Sequence, residues 1–189
     1  MSKHGIAVVG ASGYSGEELV RLLLKHPHCE IRIITSRQYV GKAISSVLPR
    51  FSSMSEIVFS EPDAAKIAKE CQFAFLALPH GLASEFARPL LESGVKVLDL
   101  SADFRIKNPD VYNAYYKEDH PAPELLSESV YGLPELYRAK IAKARLVACP
   151  GCYPTSVILP LYPILREGLI KHDSINVSSM SGVSGAGRK

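Results

Sequence analysis

The sequence has no apolar run approaching the roughly 18 residues of a membrane-spanning helix, which argues against a helical membrane protein. It also has no apolar signal region followed by a small-residue cleavage site. Met1-Ser2-Lys3-His4 runs straight into a strand-like stretch, so a cytoplasmic protein is expected. Net charge is small: 22 Lys and Arg against 19 Asp and Glu leave +3. The basic residues, such as Arg21, Lys42, Arg88 and Lys117, stand singly. No stripe or patch forms the footprint of a nucleic-acid binder, so no nucleic-acid partner is expected. Only four cysteines occur in 189 residues. A chain of this length can bury a real core without a disulfide or metal scaffold, and in a reducing cytosol free thiols are expected. Internal repeats and low-complexity linkers are absent.

What is present is ordinary for a globular protein: 47% hydrophobic and 22% charged residues. That balance excludes disorder. The length suits one large domain, or one domain plus part of another.

The first half alternates strand and helix signals. Gly5 to Gly10 is a short apolar run ending in glycine. Glu17 to Lys25 carries Leu19, Leu22 and Leu23 at helical spacing, with Pro27 closing it. Strands follow at Ile31–Ile34 and Ile57–Phe59, and a helix from Pro62 to Glu70. Phe73–Leu78 and Val95–Leu100 are continuous apolar runs, as in strands buried on both faces of a parallel sheet. A helix from Leu82 to Ser93, closed by Gly94, lies between them. This alternation predicts an α/β fold with a doubly wound parallel sheet. From Ser101 to Tyr137 the pattern breaks into a long loop with four prolines and five tyrosines. A helix before Arg145, a strand at Arg145–Ala148, a helix to Glu167 and a strand at Ser174–Met180 complete the expectation. Pro160 and Pro163 predict that the helix to Glu167 is bent or short. The chain ends in a small-residue loop, which suggests a fragment of a longer protein.

Gly10-Ala11-Ser12-Gly13-Tyr14-Ser15-Gly16 joins the first strand to the first helix. Gly10 allows a tight turn, Gly13 lets the backbone approach a pyrophosphate, and Gly16 lets helix and strand pack closely. Backbone N–H groups at a helix start hold phosphate charge. At the head of a βαβ unit this predicts a dinucleotide site; the alternative is a tight turn with no ligand. An NAD site places Asp or Glu about 20 residues on. Here the second strand ends Ile34-Thr35-Ser36-Arg37, with no acid. Ser36 can donate a hydrogen bond and Arg37 can pair with a 2′-phosphate, so NADP is expected.

Cys149-Pro150-Gly151-Cys152 spells C-x-x-C. Three readings stand open. A zinc site needs further ligands at similar spacing, and Cys29 and Cys71 lie alone, so no metal is expected. A thioredoxin-like dithiol fits a motif between strand and helix. A single nucleophile at Cys152 fits a position at a helix N-terminus, where the dipole favours a negative sulfur by about 0.3–1 kcal/mol. A basic partner, most often His, should complete such a site. None of the six histidines stands out. His80 follows the buried 73–78 strand, at the end where ligands bind, and is either near the cofactor or a plain loop residue.

These residues carry a resemblance. Gly10–Gly16, Asp99-Leu100-Ser101-Ala102-Asp103-Phe104-Arg105, Tyr131–Glu135, Pro150–Thr155 and Ser181–Arg188 together resemble the N-terminal part of the N-acetyl-γ-glutamyl-phosphate reductase family, NADP enzymes of arginine biosynthesis. The resemblance spans essentially the whole chain. It implies a Rossmann-like NADP-binding domain at 1–148. It further implies the start of a truncated α+β catalytic and oligomerisation domain at 149–189, and a homo-oligomer at full length. It implies NADPH-dependent reduction of N-acetyl-L-glutamyl 5-phosphate to N-acetyl-L-glutamate 5-semialdehyde, with phosphate released through a Cys152 thioacyl intermediate. The acid–base His of the family lies beyond Lys189. The implied cofactor contacts are Gly10, Ser12, Gly13, Tyr14, Ser15, Gly16, Ser36, Arg37, Pro79 and Ser101, with Ser184 and Gly185 of the closing loop at the nicotinamide end. Arg105 and Glu135 are expected to contact the acyl-phosphate substrate; for Arg105 the alternative is a structural ion pair with Asp99 or Asp103. Two other functions stay open: an aminoadipyl-phosphate reductase of lysine biosynthesis, acting on a carrier protein, and a non-catalytic NADP sensor.

Overall fold

The computed structural model describes residues 3–54 and 56–187; Arg188, named above in the closing loop, lies outside the described residues. The chain runs β1 (His4–Val9), α1 (Tyr14–Leu23), β2 (Cys29–Thr35), α2 (Ile44–Val47), β3 (Phe59–Ser60), α3 (Ala64–Glu70) and β4 (Phe73–Leu76). It continues through α4 (Ala83–Glu92), β5 (Lys96–Asp99), α5 (Pro109–Tyr116), β6 (Val130–Tyr131), α6 (Pro134–Ile141), β7 (Leu146–Ala148) and α7 (Cys152–Arg166). The strands form one parallel sheet in the order β3-β2-β1-β4-β5-β7-β6. The expected doubly wound sheet is therefore present.

Alternate residues of β1 feed two cores. Ala7 and Val9 pack with Leu76, Val97, Phe86, Leu90 and Phe104. Ile6 and Val8 pack with Val20, Ile34, Ile44 and Phe59. Burial on both faces is why β1 reads as an unbroken apolar run. Each fully buried Leu, Ile or Phe contributes about 1.5–3 kcal/mol. On α1, Gly16, Val20 and Leu23 are buried, one stripe at helical spacing. Helix α3 starts two residues after Pro62 because Asp63 caps it, accepting from the Ala65 N–H at 2.9 Å.

Strand order reverses between β1 and β4. Chain crossovers leave in opposite directions there, so loops part and open a crevice at the carboxyl edge. The segments that leave this edge carry Gly10, Ser36, Pro79, Ser101 and Cys152.

Two expectations need correction. Residues 101–137 are not a loop: they form α5, a short 3-10 turn at Pro123–Leu125, β6 and the start of α6. Long-range bonds organise them. Ser129 Oγ donates to the Phe104 carbonyl at 2.9 Å, and buried His120 sits 2.7 Å from the Asp103 carbonyl. The strand expected at Ser174–Met180 does not form. A strand exists only by pairing, and among the described residues this segment has no partner strand. Pro160 and Pro163 lie inside α7, which nonetheless runs 15 residues. No residue of α7 is buried.

Candidate active site

The glycine loop is built as its spacing predicts. Gly10 has φ +84°, and a Cβ there would strike the Ala77 carbonyl at the end of β4. A Cβ on Gly16 would strike the Gly10 carbonyl. Gly13 differs, because its nearest neighbour to an added Cβ is the Gly10 oxygen at 3.7 Å. Gly10 and Gly16 are thus required by packing, whereas Gly13 leaves backbone open to a ligand. Gly13 is the N-cap residue of α1 and no side chain caps the helix. The positive end of the α1 dipole, with Tyr14 and Ser15 in its first turn, faces this loop.

β2 closes the other side. The Thr35 hydroxyl accepts from the Gly10 N–H at 3.3 Å, and the Ser12 and Ser36 hydroxyls lie 3.0 Å apart. Ser36 is buried; Arg37 is largely exposed, with Glu85 at 3.6 Å. A cleft of about 210 Å³ opens here, lined by Gly10, Ser36 and Arg37 on one wall and Leu78, Pro79, Leu82 and Phe86 on the other. These groups fit a dinucleotide: an open glycine cradle, a hydroxyl pair and a largely exposed guanidinium, with no acid at the end of β2. The apolar wall residues Leu78, Leu82 and Phe86 were not singled out from the sequence, where an apolar wall looks the same as core.

Ser101 is buried and committed. Its hydroxyl donates to Asp99 at 2.8 Å and accepts from the Asp103 N–H at 3.1 Å. Burial, with the Asp103 charge nearby, raises the Asp99 carboxyl to about 6 against the two Ser101 hydrogen bonds. His80 lies beside Asp103, Nδ1 3.0 Å from Oδ1.

Cys149 and Cys152 occupy different environments. Gly151 between them is extended, at φ −72° and ψ 163°. Cys149 continues β7, its N–H bonded to the Asp99 carbonyl at 2.8 Å. Burial raises its thiol to about 11; Asp99 adds to the rise and Arg105 opposes it. Cys152 is exposed and is the first residue of α7. One thiol is locked as a neutral group, and the other stands at the positive end of a helix.

Among the described residues Arg105 makes no ion pair within 4 Å. Its Nε donates to the Cys149 carbonyl at 2.7 Å and an Nη to the Leu100 carbonyl at 2.8 Å. The other Nη lies against Gly151, within 3.3 Å of where a Cβ would be. Arg105 thereby spans the ends of β5 and β7 beside the Cys152 loop. Glu135 is exposed in the first turn of α6, just past β6 on the same sheet edge. Ser184 and Gly185 line a separate cleft of about 680 Å³ with Cys152, Ser156 and Ser181. The structure therefore groups the closing loop with Cys152, and the glycine loop with Ser36, Arg37 and Pro79. Three strand steps, about 14 Å at 4.8 Å each, separate β1 from β7.

Residues 5–144 match the family model described as semialdehyde dehydrogenase, NAD binding domain. The chain belongs to the semialdehyde dehydrogenase family. Residues 152–189 match the dimerisation domain of the same family. Among its relatives, an N-acetyl-gamma-glutamyl-phosphate reductase of Akkermansia muciniphila is 52% identical, covering 100% of this chain and 55% of that protein. A LysW-L-2-aminoadipate/LysW-L-glutamate phosphate reductase of Nitrosopumilus maritimus is 46% identical, covering 96% of this chain and 52% of that protein. The chain spans about half the length of the curated relatives it matches. Among solved structures, an aspartate semialdehyde dehydrogenase with NADP from Candida albicans has the same fold, with a TM-score of 0.63 at 20% identity over 88% of this chain and 48% of that one. Among the described residues no helix is long and apolar enough to cross a membrane.

Proposed function

We propose that the protein carrying this chain reduces N-acetyl-L-glutamyl 5-phosphate to N-acetyl-L-glutamate 5-semialdehyde with NADPH. The observation that carries the reading is the contrast at C-x-x-C: Cys152 is exposed at the start of α7, while Cys149 is held neutral in the β7 extension. A dithiol reading needs both sulfurs available, and a single nucleophile needs Cys152 alone. Residues 1–148 form the nucleotide domain, and 149–189 begin the catalytic and oligomerisation domain of a homo-oligomer.

The Cys152 thiolate attacks the acyl carbonyl. A C–S bond forms, the C–O bond to phosphate breaks, and phosphate leaves with that electron pair. Cysteine suits this because it is a strong nucleophile and also a good leaving group. Backbone N–H groups at the start of α7 face the carbonyl oxygen as negative charge develops on it. Arg105, beside Gly151, and Glu135, on the same edge, contact the acyl-phosphate substrate. The glycine loop and the backbone at Ser101, whose hydroxyl is taken up by Asp99 and Asp103, orient the dinucleotide. Arg37 and Ser36 hold its 2′-phosphate end, and Ser184 and Gly185 border the reacting end beside Cys152. Bound NADPH supplies the hydride that reduces the thioester. The sulfur of Cys152 then leaves as thiolate. The acid–base group is expected in sequence beyond Lys189.

The test is NADP reduction with N-acetylglutamate semialdehyde in a protein extended to the length of its relatives. Activity that needs both phosphate and Cys152 supports the proposal. A second reading, reduction of an aminoadipyl phosphate on a carrier protein, is favoured by the relative from Nitrosopumilus maritimus. Turnover of that substrate alone would decide for it.

A further inference from the structure

The start of α4 lacks a local cap. Its N-cap residue is Leu82, whose side chain carries no hydrogen-bonding atom. Yet α4 and the turn before it form one wall of the nucleotide cleft, through Pro79, Leu82 and Phe86. Something must hold that wall in place.

Asp103, twenty residues further on, does so. It is fully buried. Its Oδ1 accepts from the Gly81 N–H at 2.8 Å and its Oδ2 from the Ala83 N–H at 3.0 Å. A carboxylate accepting from the first N–H groups of a helix satisfies them and complements the dipole. Asp103 therefore caps α4 from the turn that follows β5. Gly81 has φ +83°, a conformation that favours glycine and presents its N–H to Asp103.

Asp103 is itself held on every side. Its N–H donates to the Ser101 hydroxyl, and its carbonyl receives the buried His120 ring at 2.7 Å. The Ala122 N–H donates to His120 Nδ1 at 3.0 Å, so Nε2 is the protonated nitrogen and donates to Asp103. The third arm is His80. Its Nδ1 lies 3.0 Å from Asp103, and its Nε2 lies 2.8 Å from Glu118 and 3.2 Å from the Tyr112 hydroxyl. The Tyr116 ring packs on its face with centroids 4.4 Å apart. His80 thus ties the cleft turn both to buried Asp103 and to α5.

We infer that Asp103, with His80 as its outer brace, is a positioning residue for nucleotide binding: it caps α4 from a distance and fixes the apolar wall of the cleft. This rests on the reading of that cleft as the nucleotide site. The network makes no direct contact with Arg37 or Cys152; α4 meets Arg37 only through Glu85, an exposed pair at 3.6 Å of the kind worth under about 1 kcal/mol. Losing it should weaken nucleotide binding as a whole, without changing the preference for a 2′-phosphate or the chemistry of the thiol.

The experiment measures dissociation constants for NADPH and NADH, by nucleotide fluorescence, in the native chain, Asp103→Asn and His80→Gln. The rate of Cys152 alkylation by iodoacetamide is followed in parallel, at a temperature where circular dichroism shows each protein folded. Loss of one charged hydrogen bond predicts NADPH binding weakened about tenfold or more, with the NADPH-to-NADH ratio and the alkylation rate unchanged within about twofold. If Asp103→Asn fails to fold, His80→Gln carries the test, since His80 is partly exposed and braces the turn from outside. Folded variants with native NADPH affinity would overturn the inference. So would a loss of alkylation parallel to the loss of binding, because that marks a general structural role. A native chain that binds neither nucleotide would instead remove the nucleotide reading of the cleft, and the inference with it.

Discussion

Gly10 and Gly13 sit three residues apart, yet they should fail in opposite ways. Gly10 is left-handed, and a side chain there meets the Ala77 carbonyl. Gly10→Ala must hold an L-residue at φ +84°, which costs about 1–2 kcal/mol. Displacing the end of β4 adds an overpacking cost of about 1–3 kcal/mol. The sum, about 2–5 kcal/mol, lowers the melting temperature by about 4–20 °C, because a chain of this size loses about 2–4 °C per kcal/mol. Gly13→Ala meets only an ordinary contact at 3.7 Å. It gives up a preferred N-cap residue, worth under about 1 kcal/mol, so melting should fall by no more than about 4 °C. Its methyl stands where the pyrophosphate must approach, and NADPH binding should weaken by at least about tenfold, 1.4 kcal/mol. Thermal melting by circular dichroism and NADPH titration of both variants make the comparison. A Gly10→Ala protein melting within about 2 °C of native would refute the packing argument. A Gly13→Ala protein with native NADPH affinity would refute the cradle.

Further predictions follow from the charged and sulfur groups. Arg37→Ala should weaken NADPH about 10–100-fold, as expected for losing a charged hydrogen bond, and leave NADH nearly unchanged; titration of both nucleotides checks it. At pH 8, iodoacetamide followed by peptide mass spectrometry should label Cys152 and spare Cys149, whose thiol is pushed up to about 11; equal labelling would contradict the assignment of roles. Asp99 holds its proton more tightly folded, at about 6, than at its ordinary value of 3.8. Its contribution therefore favours the native state below about pH 4 and is lost as pH rises through 6, by up to about 3 kcal/mol. Native protein should lose stability relative to Asp99→Asn over that range in urea melts, and a pH-independent difference would count against it.

The elements that were legible were those whose cause is local. β1, the glycine loop and α1 follow from an apolar run, three spaced glycines and buried Val20 and Leu23 at helical spacing. β4 and β5 follow from unbroken apolar residues between helices. Residues 101–137 were not legible, because α5 and β6 are organised by Ser129, His120 and Asp103 bonding across long separations. The capping of α4 was hidden for the same reason: Leu82 cannot cap a helix, and nothing near it in sequence points to Asp103. At Ser174–Met180 the composition of a strand was present without a partner to pair with among the described residues. In the candidate site, Cys152 and the glycines carried a spacing signal, whereas Leu78, Leu82 and Phe86 are indistinguishable by type from core. Arg105, weighed as a substrate contact or an ion pair with Asp99 or Asp103, bridges two backbone carbonyls where the ion pair was expected, and such partners leave no charge pattern in the sequence.

The most direct measurement is intact-protein mass spectrometry of the extended enzyme mixed with N-acetylglutamyl phosphate in the absence of NADPH. The proposed chemistry predicts one equivalent of phosphate released and one N-acetylglutamyl group bound through Cys152, absent in Cys152→Ser. No adduct on a folded protein that binds NADPH, or an adduct that survives Cys152→Ser, would contradict the thioacyl mechanism.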